Sequence, residues 1–290
     1  MDKYFFFSLK LFLLFISICF SVKLSGQNSG TNRSEGKLFI IGGGEKPESL
    51  MKEMIRTAGI QANDYVIILP MSSEEPDSAV WYARQDFEAI GIRNVFGMNF
   101  KENTPIASSQ LDSLSSSRLI YISGGDQTRF MKIVKKGKIY QAIHKAFNSG
   151  ATIAGTSAGA AVMSKKMITG NSLKYPEYTG KYPTIEPDNI EITEGLGLVS
   201  KLIIDQHFIK RQRMNRLLAA SLENPDEICV GIDESTAIVV EGKKFRVVGE
   251  NQVIVLKNTK KTSKKKNNLL GGKGLLVDIL LPEETYKFNK

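Results

Sequence analysis

Ser157 sits in Gly155-Thr156-Ser157-Ala158-Gly159, between an apolar run from Ala151 to Ala154 and a small-residue segment from Ala160 to Met163. A G-x-S-x-G turn between a strand and a helix presents a serine hydroxyl for nucleophilic attack. The two glycines suit a crossing with no room for side chains, and the helix start favours developing negative charge. A plain Gly/Ala-rich βα turn has the same composition, so the serine needs partners elsewhere. A nucleophilic serine requires a base, and the base an orienting carboxylate. The chain holds two histidines, His144 and His207. His144 falls inside a lysine-rich helical stretch. His207 follows the apolar run Leu202-Ile203-Ile204 and is flanked by Asp205 and Gln206, which makes it the better candidate. Asp233 and Glu234, at another expected strand end, could each orient it. Arg211, Arg213 and Arg216 follow His207, and such a trio suits recognition of a carboxylate or another anion. Taken singly they would be ordinary surface charges. The order serine, histidine, acid differs from that of α/β-hydrolases.

The elements that must position these residues read as short apolar runs alternating with helical periods. Strands are expected at 37–41, 65–70, 94–98 and 119–122, and helices at about 77–90, 108–114 and 128–148. The alternation predicts a mostly parallel sheet with helices on both faces. Ligands bind such sheets outside the carboxyl ends of the strands. Three glycine-bearing loops, at Gly42-Gly43-Gly44, Ser123-Gly124-Gly125-Asp126 and Ser157, should therefore converge. Segment 168–189, rich in Tyr, Pro and Gly, is long for a connection and reads as a lid, a specificity loop or a plain inserted hairpin. Beyond Ala237 the pattern changes to antiparallel strands joined by Gly/Asn turns, with 275–281 as the last strand.

Residues 1–26 read as a signal peptide: Lys3 and Lys10, an apolar core from Leu11 to Phe20, then small residues, with cleavage near Gly26–Gln27. An uncleaved anchor is the alternative. Residues 27–36 form a polar linker, and 37–290 a single domain. Past the leader only Cys229 remains, so no intramolecular disulfide can form. Export without disulfides points to a periplasmic or secreted bacterial protein. Two histidines and no metal-ligand spacing exclude a histidine-rich metal centre, and neither G-x-G-x-x-G nor a Walker motif is completed. The net charge of +9 owes much to residues 257–266. That tract lacks interleaved aromatics, so it reads as a solvated loop rather than a nucleic-acid site.

Four segments together resemble the cyanophycinase and peptidase E group of serine peptidases, family S51. They are Gly-Gly-Asp-Gln at 124–127, Gly-Thr-Ser-Ala-Gly-Ala at 155–160, Asp-Gln-His-Phe at 205–208 with its arginines, and Gly-Ile-Asp-Glu-x-Thr-Ala at 231–237. The third favours the cyanophycinase branch. The resemblance implies a flavodoxin-like, three-layer α/β/α domain related to class I glutamine amidotransferases. It implies Ser157 as nucleophile, His207 as base and Glu234 as orienting acid, with backbone N–H groups near Gly125 and Ala158 forming the oxyanion hole. Asp126, Gln127, Asp205, Gln206, Arg211, Arg213 and Arg216 fall where the substrate pocket is expected. The implied substrate is cyanophycin, an aspartate polymer with arginine on each β-carboxyl, cleaved to β-Asp-Arg dipeptides. No cofactor, metal, nucleic acid or membrane partner is called for once the leader is gone, and a homodimer is one option for assembly. Two other readings stay open: a peptidase-E-like aspartyl or isoaspartyl dipeptidase, and a non-catalytic surface protein that binds anions.

Overall fold

The computed structural model describes residues 36–135, 137–177 and 182–288. The leader at 1–26 and all of the linker but Gly36 lie outside the described residues. Four-residue runs of branched and aromatic side chains form the buried strands β1 (Leu38–Ile41), β2 (Val66–Leu69) and β4 (Leu119–Ile122). With β5 (Thr152–Thr156) and the short β3 (Val95–Gly97) they pair in parallel, in the order β1-β5-β4-β2-β3. β1 then pairs antiparallel with β10 (Thr236–Glu241), and β11 (Lys244–Gly249) and β16 (Thr285–Lys287) complete an eight-stranded mixed sheet.

Period-two alternation divides each strand between two cores. Phe39, Ile41, Val66, Ile68 and Tyr121 face α1 (Glu48–Ala58) and α2 (Pro76–Ala89). Ile40, Ile67, Ile120 and Ile153 face α3 (Ser108–Ser116), α4 (Gln127–Val134) and α5 (Lys138–Asn148). The result is the expected α/β/α sandwich. A second sheet, β8 (Leu202–Gln206), β9 (Ile228–Ile232), β12 (Val253–Asn258) and β15 (Leu275–Leu280), lays one face on that second core. Ile203, Cys229, Ile254 and Leu256 on its other face are covered by Leu217 and Ala220 of α7 (Met214–Glu223).

Local details change or sharpen. The helix read through 128–148 is two, because Lys135 turns to φ 39° after α4 and Gly137 precedes α5. The helix after the serine, α6 (Ala158–Ala161), is a single turn. Segment 168–189 begins as β6 (Lys166–Ser172), which pairs with β7 (Ile190–Glu194), so part of it is a hairpin arm. The tract at 257–266 is not all loop: Lys264–Lys266 is strand β13, paired with β14 (Leu269–Gly271), and Lys265 reaches Asp188 at 2.8 Å. Strand β15 is also not the last, since β16 follows it onto the main sheet.

Candidate active site

Five strand ends meet at one edge. Ser157 leaves β5, His207 leaves β8 and Glu234 follows β9. The glycine run 42–44 leaves β1, and Gly124-Gly125 leaves β4. Ser157 and His207 hold φ of 53° and 50°, and Ser235, next to Glu234, holds 53°. Left-handed backbone is strained for such residues and clusters at functional sites. It lets the chain turn sharply off each strand and aim a side chain across the sheet edge.

The hydroxyl Oγ of Ser157 lies 2.9 Å from Nε2 of His207, and Nδ1 of His207 lies 2.7 Å from Oε1 of Glu234. A carboxylate at Nδ1 fixes the ring proton there, so Nε2 is the acceptor facing Ser157. Asp233 is not part of this line. Its Oδ1 accepts from the backbone N–H groups of Ile209 and Lys210 at 3.1 and 3.0 Å, which caps the loop after His207. The Glu234 carbonyl accepts from Thr236 Oγ1 at 3.0 Å and Asn251 Nδ2 at 2.8 Å, so the Glu234 backbone is braced. Burial, first, holds the His207 imidazole below its usual range; the Glu234 hydrogen bond opposes this, and the charges of Arg211 and Arg213 add to it. A buried neutral imidazole is ready to take a proton near neutral pH.

The three glycine loops do converge. A Cβ on Gly43 would overlap the His207 imidazole, and one on Gly44 would come within 2.6 Å of Glu234 Cβ. The glycine run thus brings bare backbone flat against both His207 and Glu234. A Cβ on Gly124 would sit 3.5 Å from that of Ser157, and one on Gly125, at φ 132°, would overlap the Ser72 carbonyl. Gly155 and Gly159 pack on each other, and Gly159 on the Ile122 backbone, with no space for a methyl. Ala158 opens α6, so its N–H lies at the helix's free amino end.

The other predicted positions separate into two groups. Asp205 is fully buried and forms a bidentate pair with Arg216, Nε to Oδ2 at 2.9 Å and Nη2 to Oδ1. Arg213, also buried, donates to the carbonyl of Gln206 at 2.6 Å and to its Oε1 at 2.5 Å. This network lies under the residue preceding His207. Gln127 is buried and donates to the carbonyls of Ile168 and Thr169, at 2.9 and 2.5 Å, tying α4 to the β6 arm. Asp126 is exposed, and its Oδ1 caps α4 at the Thr128 and Arg129 N–H groups, 2.7 and 3.3 Å away. Arg211 is exposed, and its N–H donates to the His207 carbonyl at 2.9 Å. His144 lies apart, stacked on Tyr140 with Nε2 at 2.8 Å from the Leu196 carbonyl. Among the described residues no group of three or more His, Cys, Asp and Glu could hold a metal.

Sequence reasoning did not single out Ser72 or Asn251, and met Thr236 only inside the segment 231–237. Ser72 had one signal, its place just past the end of β2. Asn251 had none beyond lying in a turn.

The model of peptidase family S51 matches residues 38–248. A cyanophycinase of Nostoc sp. strain PCC 7120 is 32% identical over 231 residues, 78% of this chain and 74% of the relative. A cyanophycinase of Thermosynechococcus vestitus is 31% identical over 242 residues, 81% of this chain and 71% of the relative. Among solved structures, a peptidase from an acI-B1 Actinobacterium superposes with TM-score 0.66 at 21% identity, over 88% of this chain and 98% of its own. A putative peptidase E protein from Listeria monocytogenes EGD-e gives TM-score 0.53 at 17% identity, over 75% and 100%. At such identities these two structures speak for the fold alone. The family match spans most of the sandwich and contains Ser157, His207 and Glu234, and on that ground the chain belongs to peptidase family S51, as a serine-type peptidase.

Proposed function

We propose that this peptidase hydrolyses cyanophycin, an aspartate polymer carrying arginine on each β-carboxyl, and releases β-Asp-Arg dipeptides. The observation that carries the reading is the hydrogen-bonded line from Ser157 through His207 to Glu234, in a chain whose curated relatives bear the name cyanophycinase. Ser157 Oγ attacks the backbone carbonyl carbon while its proton passes to His207 Nε2. Glu234 holds Nδ1–H and stabilises the imidazolium that forms. Backbone N–H groups of Gly125 and Ala158 receive the oxyanion, a contribution of about 10²–10³ in rate per donor. Collapse breaks the C–N bond, and His207 returns the proton to the leaving amine. Water then attacks the acyl-enzyme by the same route and frees Ser157.

On the substrate side, Arg211 is an exposed cation whose charge acts on His207, and it suits a substrate carboxylate. Asp126 and Gln127 border the turn that carries Gly125. Asp205, Gln206, Arg213 and Arg216 shape the pocket from beneath, through the backbone that presents His207. Export through the leader would let the enzyme act on polymer outside the cell.

Insoluble cyanophycin is the test substrate. Wild type should release β-Asp-Arg, read by mass spectrometry, and Ser157→Ala should release none. Fluorophosphonate labelling of Ser157 without dipeptide release would remove the polymer and turn attention to isoaspartyl and Asp-X dipeptides. Export is tested by amino-terminal sequencing of protein recovered outside the cytoplasm, which should begin near Gln27; a cytoplasmic protein retaining Met1 would sink it.

A further inference from the structure

A groove of about 450 Å³ opens beyond the carboxyl ends of β2 and β3. It is separate from the Ser157–His207–Glu234 line but shares a wall with it. The Ser72 carbonyl packs against Gly125 and accepts from the Asp126 N–H at 2.8 Å and from Arg129 Nη1 at 3.3 Å. The next residue, Ser73, already lines the groove, together with Arg129. Gly124, whose Cβ would sit 3.5 Å from that of Ser157, and Gly125, packed on Ser72, thus stand between the serine and the groove wall.

The lining has the character of a binding site rather than of an accidental cleft. Buried Met71 and Phe100 and half-buried Ile133 form an apolar floor. The rim carries both signs of charge. Glu74 pairs with Arg129 at 2.7 Å, and Lys132 with Glu102 at 3.0 Å. The Glu74 side chain is 82% exposed and that of Lys132 66%. Exposed pairs of this kind are weak, so their members exchange readily for charges on a ligand. The volume lies at the small end of ligand sites, about 300–1,000 Å³, which suits a single repeat unit rather than a long stretch of chain.

We propose that this groove is an exosite that holds the substrate segment beyond the residues at Ser157, and that it takes a zwitterionic unit, guanidinium to Glu74 and carboxylate to Lys132. The proposal rests on the reading that the substrate is a polymer carrying both charges. Substrate length should then matter. A dimer of β-Asp-Arg units fills only the positions at Ser157, whereas a tetramer also reaches the groove.

Glu74→Gln, Lys132→Gln and the double variant test this, since both side chains are exposed at the rim. In the double variant kcat/KM for the tetramer should fall about tenfold, through KM, while the dimer changes less than twofold. Equal losses on both substrates, or none on the tetramer, would overturn the exosite. Calorimetric titration of the tetramer into Ser157→Ala, with and without the two changes, asks the same question without turnover. There a tenfold weaker Kd supports the groove, and an unchanged Kd, or no binding at all, overturns it. If wild type cleaves neither oligomer, the substrate reading fails, and the titration alone decides whether the groove binds such units.

Discussion

Glu234 Oε1 stands 2.7 Å from His207 Nδ1, while the adjacent Asp233 gives its Oδ1 to the amides of Ile209 and Lys210. Two neighbouring carboxylates therefore carry different tasks. Glu234→Gln should lower kcat by about 10³–10⁴, because an amide no longer fixes the ring tautomer. Asp233→Asn should leave the pH profile in place and act on stability, by about 1 kcal/mol for the weakened cap. Steady-state kinetics and urea unfolding on both variants check the division.

His207 titrates below the usual imidazole value of about 6.5, chiefly through burial. The base works when neutral, so the acid limb of kcat/KM should lie below that pH, with activity falling as pH drops through it. Arg211 pushes the imidazole down. Removing that charge in Arg211→Ala should move the limb to higher pH. Glu234 pulls the imidazole up, so Glu234→Gln should move the limb to lower pH on its smaller residual rate. A pH profile of the three proteins reads both signs.

Ser157 pays for its position with φ of 53°. Ser157→Gly should abolish activity and stabilise the fold by about 1 kcal/mol, as relief of backbone strain outweighs one lost hydrogen bond. A higher urea midpoint in an inactive protein is the expected result.

Gly43→Ala places a methyl in the His207 ring at a φ of 114°. The imidazole must shift, and kcat should fall at least a hundredfold, since a displacement of about 1 Å has that cost. The loss should appear in kcat more than in KM, because the substrate side of the site is untouched.

Asp205→Asn leaves two buried arginines, Arg213 and Arg216, beside a neutral side chain. Breaking one partner of a buried pair costs about 3–5 kcal/mol. Replacing all three charges, Asp205→Leu with Arg213→Leu and Arg216→Leu, should recover part of that, since no unpaired buried charge is left. Chemical denaturation of the single and triple variants measures the difference.

The sandwich was legible because its strands are short, mostly apolar runs, with Gly42, Pro70, Ser123 and Ser157 directly after β1, β2, β4 and β5. Ser157, His207 and the pair at 233–234 were legible from residue type and order. What the sequence left open turned on contact rather than composition. Nothing in the chain says that Asp233 faces two backbone amides while Glu234 faces a ring. Nothing local marks Gly43 and Gly44 as surfaces for His207 and Glu234, though the glycine run itself stood out. The break at Lys135 was hidden because the helical pattern continues on both sides of it. The single turn of α6 was hidden because Ala and Gly are small enough for either structure.

The antiparallel pairing of β1 with β10 has a consequence for how the enzyme comes into being. β1 supplies the glycines that back His207 and Glu234, and it lies between the strand that ends at Ser157 and the strand that begins just past Glu234. A chain emerging from the ribosome amino end first therefore holds its earliest strand with an open edge until residues 236–241 arrive to close it. Such distant pairings form slowly. Ser157, His207 and Glu234 are therefore brought into line late, once residues 236–241 have closed the edge of β1.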